Sequence, residues 1–153
     1  MSQLGTHYHV GIIVRDLEGA QRTLTDQLGV RWGPVLRMPQ LELRDGAGKD
    51  LLLPNTFCYS VDQPCLELIE EVPGSVWVAN EYSNLHHIGF WSDDLPGTSA
   101  ELSGLGCPLQ VCGRRGDVVP SQFAYHGNAL GIRIEVVDAS MREMMQFLFQ
   151  PAG

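Results

Sequence analysis

The chain has 153 residues, enough for one compact domain with a sizeable core. Hydrophobic residues make up 44% and charged residues 18%, an ordinary globular mixture rather than a disordered one. A formal net charge of −8, with Lys49 the single lysine, excludes binding driven by clustered cations, so neither nucleic acid nor an anionic membrane surface is an expected partner.

The opening MSQLGTHYHV has neither a basic nor an apolar leader character, and no apolar run approaches the ~18 residues of a membrane span, so the expected location is cytoplasmic. Cys58, Cys65, Cys107 and Cys112 form no C-x-x-C pair and are expected to be reduced. The first predicted element is a strand in HVGIIV, ending at Asp16, which stands where a helix N-cap is wanted. Leu17, Ala20, Leu24 and Leu28 follow at helical spacing, and Gly29 stops the helix. Residues 38–56 read as loop on their glycines and prolines. CLELIEE, residues 65–71, reads as a strand with Glu67 between Leu66 and Leu68.

A connecting stretch, residues 72–84, leads to LHHIGFWSDDL, which predicts a strand, a cap at Asp94 and a helix through Leu95, Thr98, Leu102 and Leu105 before Gly106. Strand alternation lets only one of His86 and His87 face a given pocket. GIRIEVVD, residues 131–138, is a closing strand with Glu135 between Ile134 and Val136. Ser140 with Glu143 forms a capping-box pattern, predicting a last helix with Met141, Met144, Met145 and Leu148 on its apolar face.

The chain repeats itself. A shift of 78 residues lays HVGIIVRDLEG on HIGFWSDDLPG and pairs His9 with His87, Gly11 with Gly89, Asp16 with Asp94, and Gly19 with Gly97. Each copy reads as strand then helix, and each ends in a strand carrying a glutamate. The His-to-Glu separation is 58 residues in the first copy and 48 in the second, with the extra length assigned to residues 38–56.

This two-copy pattern resembles the vicinal oxygen chelate superfamily, which includes glyoxalase I, methylmalonyl-CoA epimerase, extradiol dioxygenases and bleomycin-resistance proteins. The resemblance implies an α+β fold. Two tandem βαβββ modules, about 7–71 and 85–138, would form an open eight-stranded curved sheet around a metal site, with a C-terminal helix at about 140–150, all within one domain. In metal-dependent members each module supplies one ligand from its first strand and one from its last, so the resemblance implies His9, Glu67, His87 and Glu135. LELIEEVPGS, LHHIGF and FAYHGNALGIRIEVV are most similar locally to methylmalonyl-CoA epimerases, whose second histidine of the pair is the ligand. That selects His87 and places His86 on the opposite face. Family likeness also favours a homodimer.

The donor set has its own chemistry. Imidazole nitrogen and carboxylate oxygen suit one divalent ion per chain, Zn, Ni, Co, Mn or Fe, and two carboxylates neutralise its charge. Such an ion polarises a carbonyl, which makes proton removal from the neighbouring carbon feasible near neutral pH. The expected function is a metal-dependent lyase or isomerase of glyoxalase or epimerase type acting on a small-molecule substrate, with Glu67 and Glu135 as candidate catalytic groups. The rivals are an Fe(II) extradiol-type dioxygenase, against which the second glutamate counts, and a non-catalytic drug-binding protein, against which all four metal residues count. Glu42 lies in the insertion where a separate base could sit. His7 shares a face with His9 by parity, but a role at a frayed terminus is expected over one beside the ligands, and one of Tyr125 and His126 should look into the cavity. Trp32, Phe57, Trp77 and Trp91 read as core or interface, and Arg114-Arg115 as a solvated turn.

Overall fold

The computed structural model describes residues 4–153. Its first half runs β1 (His7–Val14), α1 (Leu17–Leu28), β2 (Leu36–Asp45), β3 (Asp50–Tyr59) and β4 (Cys65–Glu70); its second runs β5 (Leu85–Ser92), α2 (Leu95–Gly104), β6 (Leu109–Gly113), β7 (Phe123–His126) and β8 (Ile134–Asp138). Both halves are βαβββ, and in each the first strand lies parallel to the last: β1 beside β4, β5 beside β8.

The halves join at two seams. β1 and β5 pair antiparallel, and β2 pairs with β6 through Leu43–Gly113, Arg44–Cys112 and Asp45–Val111. The second seam corrects the expected open sheet: the eight strands close into a barrel in the order β1-β4-β3-β2-β6-β7-β8-β5. Closure satisfies the edges that β2 and β6 would otherwise expose.

Asp16 and Asp94 cap α1 and α2 as expected, accepting hydrogen bonds from the Gly19 and Gly97 backbone N–H groups at 2.9 and 3.0 Å. Both helices pack outside the sheet. Leu17 of α1 meets Cys58 and Leu68, and Leu95 of α2 meets Cys112, Ala124 and Val136. The barrel interior holds a separate, aromatic-rich core that includes Tyr8, Phe57, Tyr59, Trp77, Trp91 and Tyr125.

Two further expectations are corrected. Residues 38–56 are not loop but most of the β2–β3 hairpin. Met38 pairs with Asn55 and Leu41 with Leu53, so Pro39 and Pro54 fall at a register shift, where a missing backbone donor costs little. The turn is closed by Asp45 Oδ1, which accepts from the Ala47 and Lys49 N–H groups, and Gly48 has φ +85°. The extra length of the first copy is therefore strand: 10 residues in each of β2 and β3, against 5 and 4 in β6 and β7. The C-terminal helix is also replaced, by 3₁₀ turns at Ala139–Met141 and Met144–Phe149. Asp138, not Ser140, supplies the cap, accepting from the Ser140 N–H at 2.9 Å, and Glu143 makes no side-chain cap bond.

Candidate metal centre

The β1–β5 pairing sets His9 opposite Gly89 and Gly11 opposite His87. Each histidine ring lies over the other module's glycine. A Cβ on Gly89 would stand 1.9 Å from His9 Cε1, and one on Gly11 would stand 2.1 Å from His87 Cε1. The repeated H-x-G is thus a mutual packing device. β4 and β8 flank this pair on either side and bring in Glu67 and Glu135.

All four expected ligands come together, buried, with one donor atom from each lying within 4.8 Å of the others. His9 Nε2 is 2.7 Å from His87 Nε2, 3.1 Å from Glu67 Oε2 and 2.7 Å from Glu135 Oε2. His87 Nε2 is 3.1 Å from Glu67 Oε2 and 3.0 Å from Glu135 Oε2. Adjacent ligands around an octahedral ion with ~2.1 Å bonds stand about 3.0 Å apart, so these separations suit a divalent cation. Glu135 Oε2 is fully enclosed yet makes no hydrogen bond of acceptable angle despite its near neighbours. Atoms aimed at one point rather than at one another fit a cation.

The electrostatics agree. Burial alone pushes His9 down, but the carboxylates of Glu135 and Glu67 overcome it and raise its pKa to about 9. His87 is raised in the same way. For Glu67 and Glu135 burial acts upward, but the two imidazoles win and hold both below the ordinary carboxylate range. The pocket therefore demands positive charge, from protons or from a metal.

Strand alternation fails at two symmetric places. The β1–β5 register shifts between His7 and His9 and again between Gly11 and Ile12. The first bulge falls at Tyr8 and the second at His86, positions related by the 78-residue repeat. A bulge re-aims side chains. His7 is exposed and does not share the face of His9, and the buried Tyr8 has its ring 4.2 Å from the His9 ring. His86, expected on the opposite face, is buried beside His87. Its Nε2–H donates to the Val76 carbonyl at 2.7 Å, so its Nδ1 is the acceptor for His87 Nδ1–H at 2.9 Å. Burial, with His87 and Arg133 nearby, pushes His86 down to about 3, which keeps it neutral for that role.

Above the cluster lies a cavity of about 320 Å³. Glu67 and Glu135 are the only carboxylates among its described lining residues. Glu42 is not part of it; it lies exposed, 3.0 Å from the Arg114 guanidinium. Of the Tyr125–His126 pair, Tyr125 lines the cavity, accepting a hydrogen bond from Trp77 Nε1 at 3.1 Å. His126 turns toward α2, between Ser99 Oγ and the Cys107 carbonyl. Phe57 and Trp77 line the cavity, Trp91 stacks on Tyr8 inside the barrel, and Trp32 packs outside near α1. Tyr8, Tyr59, Asn55 and Gln122 also line the cavity and were missed from sequence. Only Tyr8 had a visible signal, its alignment with His86.

Residues 8–125 match the Glyoxalase/Bleomycin resistance protein/Dioxygenase superfamily. No curated protein matches the chain. Among solved structures, a variant of Streptomyces coelicolor methylmalonyl-CoA epimerase in complex with 2-nitronate-propionyl-CoA superposes with a TM-score of 0.63 at 18% identity, covering 89% of this chain and 95% of that one. The Mycobacterium tuberculosis methylmalonyl-CoA epimerase gives 0.59 at 18% identity, covering 90% of each chain. A hypothetical protein of Bacillus halodurans gives 0.60 at 16% identity, covering 90% and 94%. These likenesses establish the fold. No described helix is long and apolar enough to cross a membrane.

Proposed function

The chain belongs to the glyoxalase/bleomycin resistance protein/dioxygenase superfamily, and from that premise we propose that it is a metal-dependent lyase or isomerase that moves a proton on the carbon next to a carbonyl. The observation that carries this is the convergence of His9, Glu67, His87 and Glu135 in one buried cluster, of which Glu67 and Glu135 line a largely apolar cavity. A divalent ion held by these four residues would supply Lewis-acid polarisation of the carbonyl.

The remaining work falls to the chain's own groups. With Glu42 outside the cavity, Glu67 and Glu135 are the carboxylates within reach of a bound substrate, so one of them takes the proton and returns it. The hydroxyl of Tyr8 is buried beside that of Tyr59 without a hydrogen bond of good geometry, and burial, reinforced by the Glu135 and Glu67 carboxylates, keeps it protonated. It serves as a neutral donor for negative charge developing on a substrate oxygen.

The test begins with elemental analysis of purified protein and reconstitution after chelation, with about one divalent ion per chain expected. Metal-loaded protein is then incubated in D₂O with 2-oxo thiohemiacetals, acyl-CoA thioesters and bulky 1,3-dicarbonyl compounds. Deuterium should enter the carbon next to the carbonyl. Glu135→Gln should lower that exchange by ~10²–10⁴ with metal still bound. Absence of metal uptake would remove the reading, and oxygen consumption with catechols under Fe(II) without proton exchange would replace it by a dioxygenase.

A further inference from the structure

The superposed epimerases include complexes with CoA esters, yet the walls of this cavity are unsuited to such a ligand. No lysine or arginine is among its lining residues. Of the arginines around the site, Arg37 is paired with Glu18 and Glu70, Arg44 with Asp50, and Arg114 with Glu42 and Asp50, and Arg142 lies over the Trp91 ring; Arg115 is exposed with no ion pair among the described residues, but it is not among the lining residues. Phosphates are otherwise bound at helix N-termini, but those of α1 and α2 carry the carboxylates of Asp16 and Asp94. A net charge of −8 adds repulsion.

What the walls do offer is apolar and neutral. The long β2–β3 hairpin contributes Leu36, Met38, Leu41 and Phe57, and the 3₁₀ segment adds Met141, Met144 and Met145. Unbranched, polarisable methionines adapt to irregular ligand shapes. The polar groups set among them are uncharged amides, Asn55 and Gln122. Gln122 is a non-glycine residue at φ +73°, with its carbonyl accepting from the Asp138 N–H at 2.9 Å. A non-glycine backbone in that sparsely populated region, at a residue that also lines the cavity, singles Gln122 out as a candidate ligand contact. The volume of about 320 Å³ lies within the ~300–1,000 Å³ range of small-molecule pockets.

We propose that this site selects an uncharged, bulky, largely apolar molecule carrying two adjacent oxygens, and rejects CoA thioesters and other phosphate-bearing substrates. The oxygens go to the His–Glu cluster, the apolar body lies between the β2–β3 hairpin and the methionine segment, and Asn55 and Gln122 hold any further hydroxyl or carbonyl. The placement of the oxygens rests on the metal reading above; the apolar class of the body rests on the walls alone.

Calorimetric titration of the full-length protein, metal-loaded and metal-free, tests this with three probes: benzoin, hydroxyacetone and propionyl-CoA. Benzoin and hydroxyacetone share the hydroxyketone but differ in apolar bulk. In the metal-loaded protein benzoin should bind at least about a hundredfold more tightly than hydroxyacetone, because its rings leave water. Propionyl-CoA should show no saturable binding. Met144→Glu, at an exposed position on the cavity rim, should weaken benzoin binding and leave metal content unchanged. Equal affinities for benzoin and hydroxyacetone, or tighter binding of propionyl-CoA than of benzoin, overturn the proposal even if metal is bound. Benzoin binding to a protein that takes up no metal supports the apolar class while removing the metal reading.

Discussion

The two halves of the barrel solve the same problem and hold their solutions differently. Each brings a histidine on its first strand, a glycine two residues on that seats the other half's ring, and a glutamate on its last strand. Each also bulges at the residue before the histidine. In the second half that residue is His86, which fixes the His87 ring through a hydrogen bond backed by the Val76 carbonyl. In the first half it is Tyr8, and His9 Nδ1 is buried without a partner. The symmetric features assemble the donors. The asymmetric ones anchor one of the two histidine rings and, through the longer β2–β3 hairpin, give most of the strand-borne wall to the first module.

The largest effect should come from breaking the feature the halves share. Gly89→Ala and Gly11→Ala each put a methyl group about 2 Å from the other half's histidine ring. Each should cost ~1–3 kcal/mol of stability as an overpacked core and drop metal content well below one ion per chain. Gly104→Ala, which meets nothing within 4 Å, is the control and should keep both. Metal content unchanged in the Gly89 variant would mean that His9 is not a ligand.

The bulged residues come next, since there the halves differ. Tyr8→Phe removes a buried hydroxyl that makes no hydrogen bond of good geometry, only a near approach to the Tyr59 hydroxyl, so folding stability should change by no more than about 1 kcal/mol. Proton exchange should nevertheless fall, by ~10²–10³ if the hydroxyl serves a developing oxyanion. His86→Ala should instead lower metal affinity by ~10–100-fold, the usual effect of losing a histidine's outer partner. Chelator competition measures the second effect and D₂O exchange the first. Exchange rates equal to wild type in Tyr8→Phe would leave the hydroxyl with no part in the chemistry.

His86 also shows where sequence reading reached its limit. The repeat placed His9, His87, Asp16 and Asp94, and the family pattern placed Glu67 and Glu135, because each depends on a local strand or cap. Parity put His86 on the opposite face and His7 on the face of His9, and both parities break at the bulges; the terminal, exposed role preferred for His7 and the hydrogen-bonding role for His86 stand. A bulge arises from the pairing of distant strands and leaves no mark in local alternation. The hairpin was hidden for a similar reason: Pro39 and Pro54 signal loop until both are seen at one register shift. Closure of the barrel depends on β2 meeting β6, a contact between residues roughly 70 apart that no periodicity announces. The terminal 3₁₀ turns escaped because Asp138 took the cap from Ser140.

The cluster's charge gives a smaller, graded effect. In metal-free protein His9 titrates at about 9 rather than 6.5, so it contributes stability that is fully present below about pH 6.5 and is lost as pH rises through about 9. Glu67 and Glu135 are shifted down, so their contribution is present above the ordinary carboxylate range and is lost on acidification. A divalent ion must displace the His9 proton. Affinity should therefore climb with pH between these limits by up to about tenfold per unit for each proton released. Chelator competition at pH 7 and pH 8 reads this directly, and an affinity independent of pH would exclude His9 from the ligand set.

The smallest effect belongs to the helix caps, where the halves again look alike. Asp16→Ala and Asp94→Ala each remove the acceptor of a glycine N–H at the start of an outer helix, and neither aspartate belongs to the His–Glu cluster. Each should cost ~1 kcal/mol, a fall in Tm of about 2–4 °C for a chain of this size, with metal content unchanged. The two losses should not be equal. α1 keeps Glu18 in its first turn to complement the helix dipole, whereas α2 has no acidic residue there. Asp94→Ala should accordingly be the more damaging, by a few tenths of a kcal/mol, with the gap shrinking as salt screens the dipole. Thermal melts of both variants at low and high ionic strength measure it. A gap that persists at high salt would assign the difference to packing of the α2 start on the sheet rather than to charge.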